Sequence, residues 1–156
     1  MTLSEALSHG GAPSHLPQVL IADDDPSVLA TLQNAFAQLT ILPAAASDGI
    51  DAWQMICNAR PDIVIVNWML PRMDGCRICR DLREEGLVMS VLMIGKDILH
   101  DIWRKMPLAA DYVLCKPFEV DLVDQLVRLV AFWRARRPGT LGPPDVPKRS
   151  PREHYN

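Results

Sequence analysis

No apolar stretch in this 156-residue chain approaches the ~20 residues of a membrane span, so no membrane association is expected. The first 17 residues lack the basic start and apolar run of a secretory leader. With these signals missing, the cysteines at 57, 76, 79 and 115 are expected to be reduced thiols of a cytoplasmic protein. Neither a second Cys-x-x-Cys nor a histidine pair accompanies Cys76 and Cys79, which argues against a zinc site. Their spacing of three places both on one helix face, where they serve as small apolar side chains. The histidines at 9, 15, 100 and 154 are scattered, and none reads as catalytic. There is no internal repeat, no helix-turn-helix pattern and no following output domain, so a stand-alone protein is expected.

What is present is ordinary globular material, 49% apolar and 22% charged. The chain suits one domain with tails, large enough to bury a core. The net charge of -3 conceals an asymmetry: residues 134–156 hold six basic and two acidic side chains, so the remainder carries -7. An acidic body argues against nucleic-acid binding by the domain itself. The arginines at 134, 136 and 137 suit a helix end, where positive charge meets the dipole.

Residues 1–17 contain two glycines and two prolines without a sustained period and read as a mobile arm. Residues 138–156 hold five prolines and two glycines and read as a disordered tail. Between them, from 18 to 137, short apolar runs alternate with helical patterns. Strands are expected at 19–22, 41–46, 63–66, 91–94 and 112–115. Helices are expected at 27–39, 49–59, 75–85, 97–106 and 119–136. This alternation predicts an α/β fold: a doubly wound, five-stranded parallel sheet of flavodoxin-like order 2-1-3-4-5. In such sheets ligands lie beyond the carboxyl ends of the strands.

Those ends supply a distinctive set. The first strand runs into Asp23-Asp24-Asp25-Pro26, the third into Asn67, the fourth into Gly95-Lys96-Asp97, and the fifth into Lys116-Pro117-Phe118. Carboxylates at neighbouring strand ends suit a hard cation such as magnesium. A nearby lysine suits neutralising them or holding a phosphoryl oxygen.

Three segments carry a resemblance. Leu20-Ile21-Ala22-Asp23-Asp24-Asp25-Pro26, Ile63-Val64-Ile65-Val66-Asn67 with its continuation Trp68-Met69-Leu70-Pro71-Arg72-Met73-Asp74-Gly75, and Ala109-Ala110-Asp111-Tyr112-Val113-Leu114-Cys115-Lys116-Pro117-Phe118 resemble, in order, the motifs of bacterial response-regulator receiver domains. The resemblance spans about residues 18–136. It implies phosphorylation by a histidine kinase, magnesium binding, a switching surface and a cis Lys116-Pro117 peptide. Asp23, Asp24 and the Met69 carbonyl match the acidic, metal-binding pocket, and Lys116 matches the family's lysine.

Three positions depart from the pattern. Asn67 stands where the family has the aspartate that receives the phosphoryl group, and an amide oxygen is a far poorer nucleophile than a carboxylate. Gly95 stands at the switch threonine or serine and brings no hydroxyl. Val113 stands at the aromatic switch position, with Tyr112 one place earlier and pointing to the opposite face. The stretch from Gly95 to Lys116 is one residue short, which permits a slip of one.

The expected function is therefore that of an atypical receiver, a regulatory protein–protein interaction module in signal transduction, without phosphoryl transfer at Asn67 and without enzymatic activity. No cofactor is required, and magnesium binding is expected to be weak. Lys116 is expected to meet Asp23 or Asp24 directly. Two alternatives stay open: a phosphorelay receiver using another carboxylate, such as Asp24 or Asp97, and a small-ligand sensor using the vacant pocket. The partner is a kinase, a regulator or a second copy. In receivers the face from the fourth to the fifth helix serves such contacts. Trp103 and Phe132 are the candidate anchors there, Phe132 lying off the apolar stripe formed by Leu122, Val123, Leu126, Val127, Val130 and Trp133. The blander readings also stand: Asn67 as a strand cap, Asp23 and Asp24 as loop carboxylates, Lys116 as surface charge, and Trp103 or Phe132 as core.

Overall fold

A computed structural model of the chain describes residues 15–86, 88–95, 97–99, 109–118 and 120–136. Five strands, β1 (Val19–Ala22), β2 (Ala44–Ala46), β3 (Ile63–Asn67), β4 (Met89–Gly95) and β5 (Tyr112–Lys116), form one sheet in the order β2-β1-β3-β4-β5. All four ladders are parallel. Helices α1 (Pro26–Ala37), α2 (Gly49–Ala59), α3 (Gly75–Glu85) and α4 (Leu122–Ala135) flank it. Parallel strands need crossovers; α1, α2 and α3 supply those between β1, β2, β3 and β4, and α4 follows the last strand.

Side chains alternate along each strand, so the sheet divides two cores. On one face Val19, Ile21, Ile63, Ile65, Met93 and Leu114 pack with α1 and α4. On the other, Leu20, Ala22, Val64, Val66 and Leu92 pack with α2 and α3. The β-branched run of β3 is thus covered on both sides, as a central parallel strand requires. Leu126 and Leu129, both fully buried, fasten α4 to its core. Truncating such a leucine to alanine costs about 2–5 kcal/mol.

Helix starts are set by local chemistry. Asp25 accepts the Ser27 N–H with Pro26 opening α1, Asp48 accepts the Asp51 N–H at α2, and Asp74 accepts the Arg77 N–H at α3. α3 ends on Gly86 at φ 71°, whereas α2 ends on Arg60 in the same left-handed region.

Several boundaries differ from expectation. β2 contains only residues 44–46, shorter than the expected 41–46. α4 begins at Leu122, and its buried set adds Leu129 and Arg134 to the expected stripe. At the end of the expected arm Pro17 is buried and Leu16 packs against the core, while residues 1–14 lie outside the described residues. The tail at 138–156, Lys96, Trp103 and most of the expected helix at 97–106 lie outside the described residues. Among the described residues no helix is long and apolar enough to cross a membrane.

Candidate functional site

The register brings the expected residues together. Ala22 pairs with Val66, so Asp23 and Asn67 stand side by side one step further on. Asn67 pairs with Met93, and Gly95 with Lys116, two residues beyond. Asp23, Asn67 and Lys116 share the strand parity of Ile21, Ile65 and Leu114 and therefore face the same side of the sheet edge.

Asp23 is 1% exposed, although it carries a carboxylate. Its Oδ2 meets Lys116 Nζ at 2.5 Å. Its Oδ1 accepts the Asp25 N–H at 2.9 Å. Lys116 Nζ also donates to Asn67 Oδ1 at 3.3 Å, while Asn67 Nδ2 donates to the Met69 carbonyl at 2.9 Å. This amide orientation follows from its neighbours, since an ammonium needs an acceptor and a carbonyl needs a donor. The result is a continuous chain from Asp25 through Asp23, Lys116 and Asn67 to Met69.

The loop that carries Met69 is held from below. The Gly75 N–H donates to the Trp68 carbonyl at 3.1 Å, and the Gly49 N–H to Pro71 at 2.9 Å. A Cβ at Gly75 would overlap the Asn67 carbonyl, and one at Gly49 the Met73 carbonyl, so both close approaches need glycine. Arg72, at φ 69°, donates to Asp48 at 3.3 Å across the same junction.

Of the two carboxylates expected to meet Lys116, the partner is Asp23, and Asp24 is exposed. Asp25 caps α1 instead, and the Ser27 hydroxyl and amide hold its carboxyl below the usual range. Gly95 is half-buried at the end of β4. A Cβ there would come within 2.6 Å of Asp97 Oδ1. Val113 and Tyr112 do face opposite ways, Val113 toward the α2–α3 core and Tyr112 toward the α1–α4 core. The Lys116-Pro117 peptide is cis.

Of the donors that the resemblance gives to magnesium, Asp23 has one oxygen on Lys116 and the other on the Asp25 N–H, the Met69 carbonyl accepts the Asn67 amide, and Asp24 is exposed. No group of three or more His, Cys, Asp or Glu side chains among the described residues is placed to hold a metal.

Phe132 is not a free anchor. It is half-buried against the α1–α4 core, its ring 5.5 Å from that of Tyr112. The sequence reading missed Asp111. It is 3% exposed, accepts the Ser90 N–H at 3.0 Å, and meets Arg136 Nη1 at 2.6 Å. A lone aspartate at a strand start gives no sign of a partner 25 residues later.

Comparison with known proteins agrees with this geometry. The response regulator receiver domain family matches residues 19–128. This chain belongs to that family. It is 32% identical over 122 residues to the response regulator MprA of Mycobacterium sp. (strain KMS) and 30% identical to that of Mycobacterium leprae. The match covers 78% of this chain and 52% and 53% of those relatives, so the chain spans about half their length. The receiver domain of Francisella response regulator 1452 superimposes with a TM-score of 0.64 at 26% identity, covering 76% of this chain and 96% of that one. The receiver domain of the Pseudomonas aeruginosa sensor histidine kinase PA1611, described with a magnesium ion coordinated in its active site cleft, shares the fold at a TM-score of 0.66. It is 20% identical, covering 78% of this chain and 100% of that one.

Proposed function

We propose that this receiver works as a regulatory protein–protein interaction module whose signalling does not pass through phosphoryl transfer at residue 67. The observation that carries the reading is the Asn67 side chain itself, which gives its oxygen to Lys116 and its N–H to the Met69 carbonyl. A carboxylate at that point would present an anionic nucleophile to phosphorus; the amide instead closes a neutral bridge across the pocket. Lys116 is already paired with Asp23, so the ammonium that would hold a phosphoryl oxygen is engaged. In this reading the protein catalyses no reaction, needs no cofactor and binds magnesium weakly.

A protein partner is supported by exposed apolar side chains on the loops that follow β3 and β5: Met69 is 59% exposed and Val120 fully exposed. The half-buried Tyr112–Phe132 pair adds an aromatic edge along β5 and α4. Kinases, other regulators and a second copy are the partner classes, with no nucleic acid bound by the domain.

Incubation with acetyl phosphate and magnesium, followed by intact-mass measurement, tests the reading. The native chain should gain no hydroxylamine-labile phosphoryl adduct. A stoichiometric adduct at Asp24, Asp97 or any other carboxylate would establish the phosphorelay alternative.

A further inference from the structure

β2 is the outermost strand, bonded to β1 on one side only. The phase of that ladder decides what the other side offers. The Asp23 N–H donates to the Ala46 carbonyl at 3.1 Å, and Ala44, Ala45 and Ala46 pair with Leu20, Ile21 and Ala22. Along a strand, successive residues turn their backbone groups to opposite edges. Ala44 and Ala46 therefore face β1, and Ala45 turns its N–H and C=O outward, in step with the Pro43 carbonyl and the Ser47 N–H. Free edges are normally guarded by charged side chains or a covering element. Here the strand is three alanines, the first two exposed. Pro43 removes one N–H from the outer edge but leaves its carbonyl.

Two hollows that share Met55 run beside this edge, along α2. One, of about 380 Å³, lies at the amino end of β2 and is mainly apolar, bounded by Leu20, Leu42, Ala44, Ala59 and Pro61. Leu42 on its rim is 88% exposed. The other, also about 380 Å³, lies at the carboxyl end and presents Ser47, Asp51, Gln54 and Asn58.

We propose that β2 accepts an extended peptide segment of a protein partner as a sixth strand. A polypeptide is the ligand whose donors and acceptors recur at the spacing of the Ala45 pair. Side chains of an added strand would fall level with Ala44 and Ala46 on the α2 face, two residues apart. The first enters the apolar hollow, and the second meets Gln54 and Asn58. The recognised segment therefore reads apolar-x-polar when parallel to β2, and the reverse when antiparallel. A second copy of this chain fits less well. Paired antiparallel about Ala45, it would bring only the methyl groups of its own alanines to the two hollows. The proposal is independent of the reading of residue 67.

Selection of a displayed octapeptide library on the full chain tests it, with the selected peptides mapped by amide chemical shifts. The expected result is peptides with a hydrophobic and a hydrogen-bonding residue two apart, shifting Ala45, Ser47 and Met55. Ala59→Glu places a carboxylate at the hollow's mouth on an exposed helix position and should weaken binding at least tenfold. Leu42→Glu, at an equally exposed site, repeats the test from the other rim. N-methylation of the peptide nitrogen facing the Ala45 carbonyl should do the same. Failure to select any binder, binding that survives these changes, or shifts confined to α4 would overturn the proposal. Self-association abolished by Ala45→Pro would assign the edge to a second copy and overturn it equally.

Discussion

Lys116 reaches over the ends of β4 and β3 to set its ammonium 2.5 Å from the carboxylate of Asp23, just past β1. The carboxylate is sealed from water and the lysine is 23% exposed, so the pair is costly to split. Lys116→Met should destabilise the fold by about 3 kcal/mol, the lower end of the usual penalty because Asp23 keeps the Asp25 N–H. A fall in the urea midpoint at neutral pH, partly restored by millimolar magnesium, is the expected outcome. An unchanged midpoint would mean that solvent reaches Asp23.

Asn67→Asp brings a second carboxylate beside Asp23 and takes the donor away from the Met69 carbonyl. The metal-free variant should therefore be less stable than the native chain, and magnesium should raise its melting temperature more. The native chain should show little shift. Switching should not return with the metal, since Gly95 has no hydroxyl to close onto a phosphoryl group. Gly95→Thr would first have to displace the Asp97 carboxylate that leans over that position.

Phe132→Ala should affect both folding and association. Loss of the contact with Tyr112 and of half-buried area should cost about 1–2 kcal/mol of stability. If α4 and β5 form the partner face, association should weaken about thirtyfold, the equivalent of ~2 kcal/mol. Urea titration and sedimentation separate the two effects. Destabilisation with unchanged association would place the partner elsewhere.

Asp111→Asn keeps an acceptor for the Ser90 N–H but removes the charge facing Arg136. The loss should reach up to about 3 kcal/mol. Amide hydrogen exchange should quicken first in the last turn of α4 and at the start of β5, with β1 and β3 unaffected. Uniform acceleration would show that the pair contributes only to global stability.

The cysteines should differ in reactivity. Burial raises the Cys76 thiol to about 11, and burial pushes Cys79 higher still. At pH 8 about one Cys76 in a thousand is thiolate, and the thiolate is the reactive form. Iodoacetamide should therefore modify exposed Cys57 early and Cys79 only on unfolding. Because both pKa values are raised, their labelling should accelerate with rising pH, read as stepwise mass gains.

Much of this arrangement was legible in the sequence because each strand leaves a local trace. Ile63 to Val66 shows its double burial in its β-branching, and Asp48 marks a helix start by residue type. The pocket followed, since topology delivers residue 23, residue 67 and residue 116 to one edge. Side-chain choices were less visible. That Lys116 selects Asp23 over Asp24 depends on strand parity at the exit of β1, and three consecutive aspartates do not reveal it. A helical wheel places Phe132 beside Gln125 but does not show that β5 brings Tyr112 against it. The Asp111–Arg136 pair joins residues that no local pattern connects.

His15 packs edge-on against Trp133, with the ring centroids 6.0 Å apart. The first described residue thus rests on the last helix, and both ends of the described chain leave near the amino ends of the strands, while Asn67 lies at their carboxyl ends. A mechanical load applied through those ends would not stretch the domain lengthwise. It would first part His15 from Trp133 and then peel α4 away turn by turn, while the Asp23–Lys116–Asn67 bridge at the far end carried no tension until the sheet itself began to open.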